Sequence, residues 1–105
     1  MIFLERILDA ESKRSIVREV LEALPERFDV AEEREEYISC SAGQICLAAT
    51  NNGKAVGFVC LKETGKDTVG LAVMGVLEEF RQEGVGKELF DFAREIAREK
   101  GCKFG

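Results

Sequence analysis

An arginine and two glycines at a fixed spacing are the residues of this sequence that point most clearly to chemistry. Arg81, Gly84 and Gly86 lie in the stretch "EFRQEGVGKELFDF", at the start of a predicted amphipathic helix. Glycine in a helix costs about 1 kcal/mol relative to alanine, so two glycines here need a reason. A helix N-terminus has unpaired N–H groups and a positive dipole end, and bare backbone lets an anion approach it closely. The spacing therefore predicts a phosphate-binding loop.

Two common nucleotide-binding motifs do not fit this loop. The pattern G-x-x-x-x-G-K-[ST] would need glycine at Arg81 and serine or threonine at Glu88. The pattern G-x-G-x-x-G would need glycine at Leu89. What remains is R-x-x-G-x-G after an apolar run, and the alternative interpretation is a glycine-rich turn that binds no ligand.

Metal chemistry is not predicted, because the chain has no histidine and its cysteines contain no C-x-x-C pair. The four cysteines are interpreted as small core residues; they are Cys40, Cys46, Cys60 and Cys102.

Length, composition and charge limit the classes of protein. With 105 residues, 46% hydrophobic and 33% charged, the sequence predicts one soluble globular domain over residues 1–105. A net charge of -5 argues against a nucleic-acid partner, because nucleic-acid binding relies on Lys and Arg. The N-terminal stretch "MIFLERILDAESKR" contains no apolar run long enough for a signal peptide or a membrane span. We therefore expect a cytoplasmic protein that does not contact a membrane.

The elements in the first part of the chain are predicted from the spacing of apolar residues. Ile2–Leu8 suits a strand, and Asp9 can cap the helix that follows. One apolar face identifies that helix, which Pro25 should end or bend; its members are Ile16, Val17, Val20, Leu21 and Leu24. A second helix is predicted over "VAEEREEYI". Its glutamates are interpreted as a solvated face, with an acidic patch that steers substrate as the alternative.

The second part of the chain predicts a sheet followed by a helix. Asn52-Gly53 joins two runs rich in β-formers within "GQICLAATNNGKAVGFVCLKE", which indicates a hairpin. The run "DTVGLAVMGVL" should add a third extended segment to an antiparallel meander. An amphipathic helix is predicted from Val85 to Lys100 and should end at Gly101.

The motif in this context resembles the acetyl-coenzyme A binding motif of the GNAT acetyltransferase superfamily. The stretch "VMGVLEEFRQEGVGKELFDFAREIAREKGCKF" looks like that family's fourth strand, pyrophosphate loop and third helix in unbroken order. The stretch "LEALPERFDVAEEREEYI" is similar to the paired N-terminal helices of some bacterial members. The resemblance covers nearly the whole chain. It implies an α+β fold, an α/β sandwich with a mixed, mostly antiparallel sheet flanked by helices.

The resemblance also implies a reaction and its binding residues. Acetyl-coenzyme A would be the cosubstrate, and the acceptor would be a small-molecule or protein amine. Main-chain N–H groups from Gln82 to Lys87 would hold the pyrophosphate, while the backbone at Met74 and Val76 would pair with the pantetheine arm. The implied cofactor-binding residues are Met74, Val76, Arg81, Gln82, Glu83, Gly84, Val85, Gly86 and Lys87. Arg81 can brace the loop or lie in solvent, and Lys87 adds charge near the phosphates or lies in solvent.

The sequence departs from the family pattern on the fourth strand. Members often have a carboxylate there that deprotonates the amine, but "TVGLAVMGV" contains none, and Gly70 occupies the expected place. Glu78 replaces a common proline, which affects the turn more than the chemistry. The catalytic base and acid are therefore not identified. The mechanism would rely on a backbone N–H near Val76 to polarise the thioester carbonyl.

The C-terminus predicts assembly. The family usually continues beyond "GCKF" with further strands, so we expect a shortened member whose run "LAVMGVL" forms an apolar sheet edge without a partner strand. Such an edge predicts a homodimer with Val69–Val76 or "GCKFG" at the interface. The alternative is that the tail folds back within one chain.

Three functions stay open at this point. The first is an N-acetyltransferase that works by direct attack of the amine, with water or the substrate managing the proton. The second is a catalytically incomplete module that binds coenzyme A or a partner. The third is a structural α+β domain whose glycines only shape a turn.

Overall fold

The computed structural model describes residues 1–24 and 30–104. In chain order the elements are β1 (Ile2–Ile7), α1 (Ala10–Glu22), α2 (Ala31–Ser41), β2 (Ile45–Asn51), β3 (Lys54–Gly65), β4 (Thr68–Val76), a 3₁₀ helix (Glu78–Glu83), α3 (Val85–Glu99) and β5 (Lys103–Phe104). The predicted helices and strands are confirmed at nearly the predicted positions. Pro25, which was expected to end the first helix, lies outside the described residues; α1 already ends at Glu22.

The strands form one sheet in the order β1-β2-β3-β4-β5. Neighbouring strands from β1 to β4 are antiparallel, as the meander predicted, and β5 is parallel to β4. Asn52 and Gly53 both have positive φ, 54° and 83°, which is the backbone of the tight turn that joins β2 to β3. The sheet is therefore mixed and mostly antiparallel.

Helices α1 and α2 cover one face of the sheet. The Asp9 carboxylate accepts a hydrogen bond of 2.9 Å from the Ser12 N–H and caps α1. The predicted apolar face of α1 points inward, because Val17, Val20 and Leu21 are fully buried. The glutamates predicted for the solvated face of α2 are exposed, and Glu35 pairs with Arg18 of α1 at 2.7 Å. These exposed charges add little stability, so the buried apolar face holds α1 in place.

Helix α3 lies on the opposite face and places the glycine loop. Val85, Leu89 and Ala93 on its inner side are fully buried. Gly57 of β3 lets the helix approach, since a Cβ there would lie 3.2 Å from both Leu89 Cδ1 and the Gly75 carbonyl oxygen. The close contact fixes the N-terminal turn of α3 over the end of β4.

The tail after α3 corrects one expectation about the sheet edge. Gly101 adopts a left-handed conformation, φ 72°, and reverses the chain, so that Cys102 N–H bonds to the Ala97 carbonyl at 2.9 Å. The next residues form β5, which pairs in parallel with Thr68 and Val69 of β4. The expectation that no later strand covers β4 is therefore wrong for Thr68 and Val69, the first two residues of β4. Phe104 also packs edge-on against Phe90 of α3, with ring centroids 5.1 Å apart.

Candidate functional site

The predicted loop residues lie between the end of β4 and the first turn of α3. Arg81, Gln82 and Glu83 form the second half of the 3₁₀ helix, and Gly84 follows in a left-handed conformation with φ 78° and ψ 13°. Val85, Gly86 and Lys87 then make the first turn of α3. Glycine is the residue that adopts this left-handed conformation without strain, so Gly84 is needed for the reversal between the two helices.

The N-terminus of α3 has free hydrogen-bond donors. Glu88 N–H bonds to the Gly84 carbonyl at 3.0 Å, which closes the first α-helical turn. No side chain of the described residues caps this helix end. The N–H groups of Val85, Gly86 and Lys87 precede that first bond and are available to a ligand. Together with the helix dipole, they make this end of α3 suited to an anion.

The last residues of β4 present main-chain groups at the sheet edge. Leu77 N–H bonds to the Val56 carbonyl of β3 at 2.9 Å, and the register from Val73 to Val76 is regular. In an antiparallel ladder the bonded residues alternate, so the N–H and C=O of Met74 and Val76 point away from β3. Among the described residues, the short strand β5 reaches only Thr68 and Val69, so no strand occupies this part of the edge.

Arg81 links the loop to that edge. Its Nε donates a hydrogen bond of 3.2 Å to the Val76 carbonyl oxygen, and the contact is partly buried. The side chain therefore braces the 3₁₀ helix against β4, which is one of the two roles that the sequence left open. The guanidinium has further donors beyond Nε that can still meet an anion.

Gly86 brings the helix and the strand into contact. A Cβ placed on Gly86 would lie 3.5 Å from Met74 Cε and 3.8 Å from Val76 Cγ2. The first turn of α3 and the exposed edge of β4 are thus adjacent, and the predicted site residues on both elements converge on one place. A larger side chain at Gly86 would fill the space between them.

The charges around the loop are mostly negative. The acidic side chains of the 3₁₀ helix and the first helical turn are all exposed; they are Glu78, Glu79, Glu83 and Glu88. The basic ones are Arg81 and Lys87, and Lys87 Nζ lies 3.1 Å from the Asp91 carboxylate. The ammonium of Lys87 is therefore directed along the helix rather than over its N-terminus. Attraction of an anion here depends on the main chain and on Arg81.

Two features of the site were not found from the sequence. The register between β3 and β4 shifts so that Ala72 is an extra residue between Leu71 and Val73, a β-bulge in the strand that leads to the site. No residue type in this stretch of the sequence predicts the bulge. The close approach of α3 over Gly57 had a signal, since glycine inside a strand often marks such a contact.

A cavity of about 390 Å³ lies elsewhere, at the opposite end of α3, between the start of β2, the end of β3 and Lys100. Helix α3 has 15 residues, so its two ends are about 20 Å apart. The cavity is therefore not part of the loop site, whose groups lie on an open edge.

Residues 1–24 and 30–104 offer neither a cluster of metal ligands nor a membrane-spanning helix. These residues contain no group of three or more histidine, cysteine, aspartate or glutamate side chains that could hold a metal ion. None of the helices in the same ranges is long and apolar enough to cross a membrane.

The mixed sheet and its flanking helices define the fold of the GNAT acetyltransferases. The sequence model of the acetyltransferase (GNAT) family matches residues 13–104, which is most of the chain, and the protein belongs to this family. No curated protein matches the sequence.

Solved structures give the same result for the fold. A putative acetyltransferase from Pyrococcus horikoshii superposes with a TM-score of 0.82 at 12% identity, covering 100% of this chain and 79% of its own. The paiA N-acetyltransferase of Thermoplasma acidophilum, in complex with coenzyme A, gives 0.73 at 17%, covering 97% and 75%. A GNAT family acetyltransferase of Brucella melitensis, in complex with acetyl-CoA, gives 0.75 at 20%, covering 95% and 71%. At these identities the likeness concerns the fold.

Proposed function

We propose that residues 1–105 form a single domain that transfers an acetyl group from acetyl-coenzyme A to an amine. The observation that carries this proposal is the contact at Gly86, where an uncapped helix N-terminus adjoins the exposed edge of β4. Family membership supports acetyl transfer in general. The acceptor would be a small-molecule or protein amine.

The binding groups of the chain suit the parts of coenzyme A. N–H groups from Gln82 to Lys87 would hold the pyrophosphate, because a helix N-terminus supplies donors and a positive dipole end. Met74 and Val76 would pair with the pantetheine arm as an added strand, since their main-chain groups face away from β3. Arg81 would brace the loop through Val76 and offer its other donors to phosphate.

The chain is assigned one catalytic contribution, a main-chain N–H donor, and no general base. When bound, acetyl-coenzyme A supplies an activated thioester. The Val76 N–H faces the open edge and is the donor proposed to stabilise the carbonyl oxygen as negative charge develops on it. The matching part of β4 has no carboxylate, so the amine would enter in its free form and its proton would pass to water. Transfer should therefore rise with pH as more of the acceptor amine is deprotonated.

A second candidate function is a module that binds coenzyme A without turnover. The absence of a carboxylate on β4 favours it. Calorimetric titration with acetyl-coenzyme A, followed by product detection across a panel of amines, separates the two candidates. Saturable binding with product supports the transferase, binding without product supports the module, and no binding contradicts both.

Arg81→Ala is expected to weaken coenzyme A binding less than Gly86→Val does. The substitution removes the 3.2 Å bond to the Val76 carbonyl and loosens the loop, but it leaves every main-chain donor in place. Calorimetry on both variants checks the order. If Arg81→Ala were the more damaging change, charge pairing with the guanidinium would have to replace the main-chain loop as the explanation.

Glu83→Gln is expected to strengthen coenzyme A binding about two- to threefold at low salt, because it removes a carboxylate beside the proposed pyrophosphate site. Glu99→Gln serves as the matched control, since Glu99 is also exposed but lies at the other end of α3. The gain should shrink as salt is added. An equal effect of both variants would show that net charge, and not the charge at the loop, is responsible.

We also propose a homodimer that covers part of the β4 edge. Leu71 lies on this edge and is 41% exposed, so a large apolar side chain faces solvent here. Leu71→Lys should therefore shift the protein to monomer in sedimentation at micromolar concentration. Phe3→Lys on the opposite edge strand is the comparison, because Phe3 is 62% exposed and the β1 edge would be the interface if only this change produced monomer. A parent protein that sediments as a monomer, with the amides of Leu71 to Val76 protected from exchange, would contradict the dimer.

A cytoplasmic location is a further proposal. The free thiols at Cys40 and Cys102 suit a reducing compartment. Cell fractionation of the tagged full chain tests it.

A further inference from the structure

Two of the four cysteines face each other across neighbouring strands. Cys46 of β2 and Cys60 of β3 are direct partners in the antiparallel register. Both are fully buried on the face of the sheet that α1 and α2 cover. Cys40 is exposed and Cys102 is half-buried, so the interpretation of all four cysteines as core residues is wrong for these two. The mechanism proposed above uses neither Cys46 nor Cys60. Their pairing therefore calls for a separate explanation.

The geometry of the ladder brings these two side chains close. Val56 accepts the Leu77 N–H, so the alternation along β3 directs the main-chain groups of Cys60 toward β4 and away from β2. Cys46 and Cys60 consequently form a non-hydrogen-bonded pair, for which the Cα atoms lie about 4.5 Å apart. Disulfides span Cα separations of about 4.4–6.8 Å, so the pair lies within this range and at its short end.

The electrostatic surroundings distinguish the two thiols. Hydrogen bonding with the Cys60 thiol lowers the pKa of Cys46, against the effect of burial, and the nearby Lys13 ammonium also lowers it. Lys13 is held in place by a 2.7 Å hydrogen bond to the carbonyl of Gln44, which directly precedes β2 and lies two residues before Cys46. The same hydrogen bond, together with burial and the charge on Cys46, raises the pKa of Cys60 and outweighs the Lys13 ammonium, which acts on this thiol in the lowering direction too. Cys46 is therefore the member of the pair that ionises more readily, and the thiolate is the reactive form of cysteine.

We propose that Cys46 and Cys60 are a modification site at which a peroxide forms a reversible cross-strand disulfide. The Cys46 sulfur attacks one peroxide oxygen, the O–O bond breaks, and the products are a sulfenic acid and water. The Cys60 sulfur then attacks the Cys46 sulfur, the S–S bond forms, and the sulfenic oxygen leaves as a second water with the Cys60 proton. Each disulfide consumes one hydrogen peroxide, which is reduced by two electrons.

The location of the pair gives the bond two properties. It closes the loop from residue 46 to residue 60, which contains the hairpin turn, and so restricts the unfolded chain and raises the melting temperature. The Cα separation is shorter than the usual one of about 5.5–6 Å, which makes the bond more reducible, but burial slows access of a dithiol to it. Burial slows access of peroxide, and the exposed thiol of Cys40 would react first in the parent protein.

The test uses a Cys40→Ser/Cys102→Ser variant, which leaves only the buried pair. The folded variant is treated with hydrogen peroxide, denatured and alkylated, and its intact mass is measured by mass spectrometry. We expect neither thiol to be alkylated. The measured mass should lie about 2 Da below that of the reduced, unalkylated protein, because two hydrogens are lost, and dithiothreitol should reverse both changes. The oxidised protein should also melt at a higher temperature than the reduced protein. A peptide linking residues 46 and 60 must appear after digestion.

Adding Cys60→Ser to that variant provides the control. This protein should gain oxygen at Cys46 without any loss of mass. If it does not fold, as circular dichroism will show, Cys60→Ala replaces it. Two thiols that remain alkylatable after treatment overturn the proposal, and so does oxygen added to both sulfurs without a cross-link. Disulfides found only between two copies also overturn it.

Discussion

Gly86→Val is expected to weaken coenzyme A binding at least tenfold, which corresponds to about 1.4 kcal/mol. A Cβ on Gly86 already comes within 3.5 Å of Met74 Cε and 3.8 Å of Val76 Cγ2. The two methyl groups of valine would extend beyond this position into the space between the first turn of α3 and the edge of β4. Calorimetric titration with coenzyme A measures the loss.

Gly86→Ala is the matched control for this substitution. Its single methyl group makes only ordinary van der Waals contact with the flexible Met74, so the loss should be smaller than for valine. Gly84→Ala should also weaken binding, for a different reason, because alanine is strained at φ 78°. Thermal unfolding shows whether each variant is folded. If folded Gly86→Val bound coenzyme A as tightly as the parent, the pyrophosphate would not lie at this helix end.

The glycine loop could be predicted from the sequence because local patterns specify it. The spacing of Arg81, Gly84 and Gly86 is contained within one short stretch, and the amphipathic pattern from Val85 onward fixes where the helix begins. The Asn52-Gly53 turn is local in the same sense. In each case the residue types that allow the backbone conformation are adjacent in the chain, so no knowledge of distant contacts was needed.

Other features depend on contacts between distant segments. The tail after Gly101 gains its strand geometry only because β4 offers it a partner, and a strand of this length has no sequence pattern of its own. The bulge at Ala72 likewise arises from the pairing of β3 with β4. The sequence suggested that Arg81 can brace the loop. It did not identify Val76 as the residue that accepts the hydrogen bond, because that depends on the turn made by the 3₁₀ helix. Binding by the individual loop residues stays a prediction until a ligand is tested.

Leu89→Ala should have the largest effect on stability, a loss of about 2–5 kcal/mol in the free energy of unfolding. Leu89 is fully buried one turn after Gly86 and packs over Gly57, so its truncation leaves a cavity beneath the loop. Glu88→Ala is the matched control in the same turn. Its side chain is exposed, and we expect a change within about 0.5 kcal/mol. Chemical denaturation of both variants measures the difference.

A second substitution shows whether Leu89 holds α3 through its contact with Gly57. In the parent, a Cβ at Gly57 would lie 3.2 Å from Leu89 Cδ1 and 3.2 Å from the Gly75 carbonyl oxygen, so Gly57→Ala should destabilise the protein. In the Leu89→Ala background the first conflict is absent and the new methyl group partly fills the cavity. The second conflict is with the main chain and remains. Gly57→Ala should therefore cost less in that background, which a double-mutant cycle of unfolding free energies reports as favourable coupling. Strict additivity would mean that the helix is held over β4 by other contacts, and that coenzyme A binding should survive the loss of Leu89.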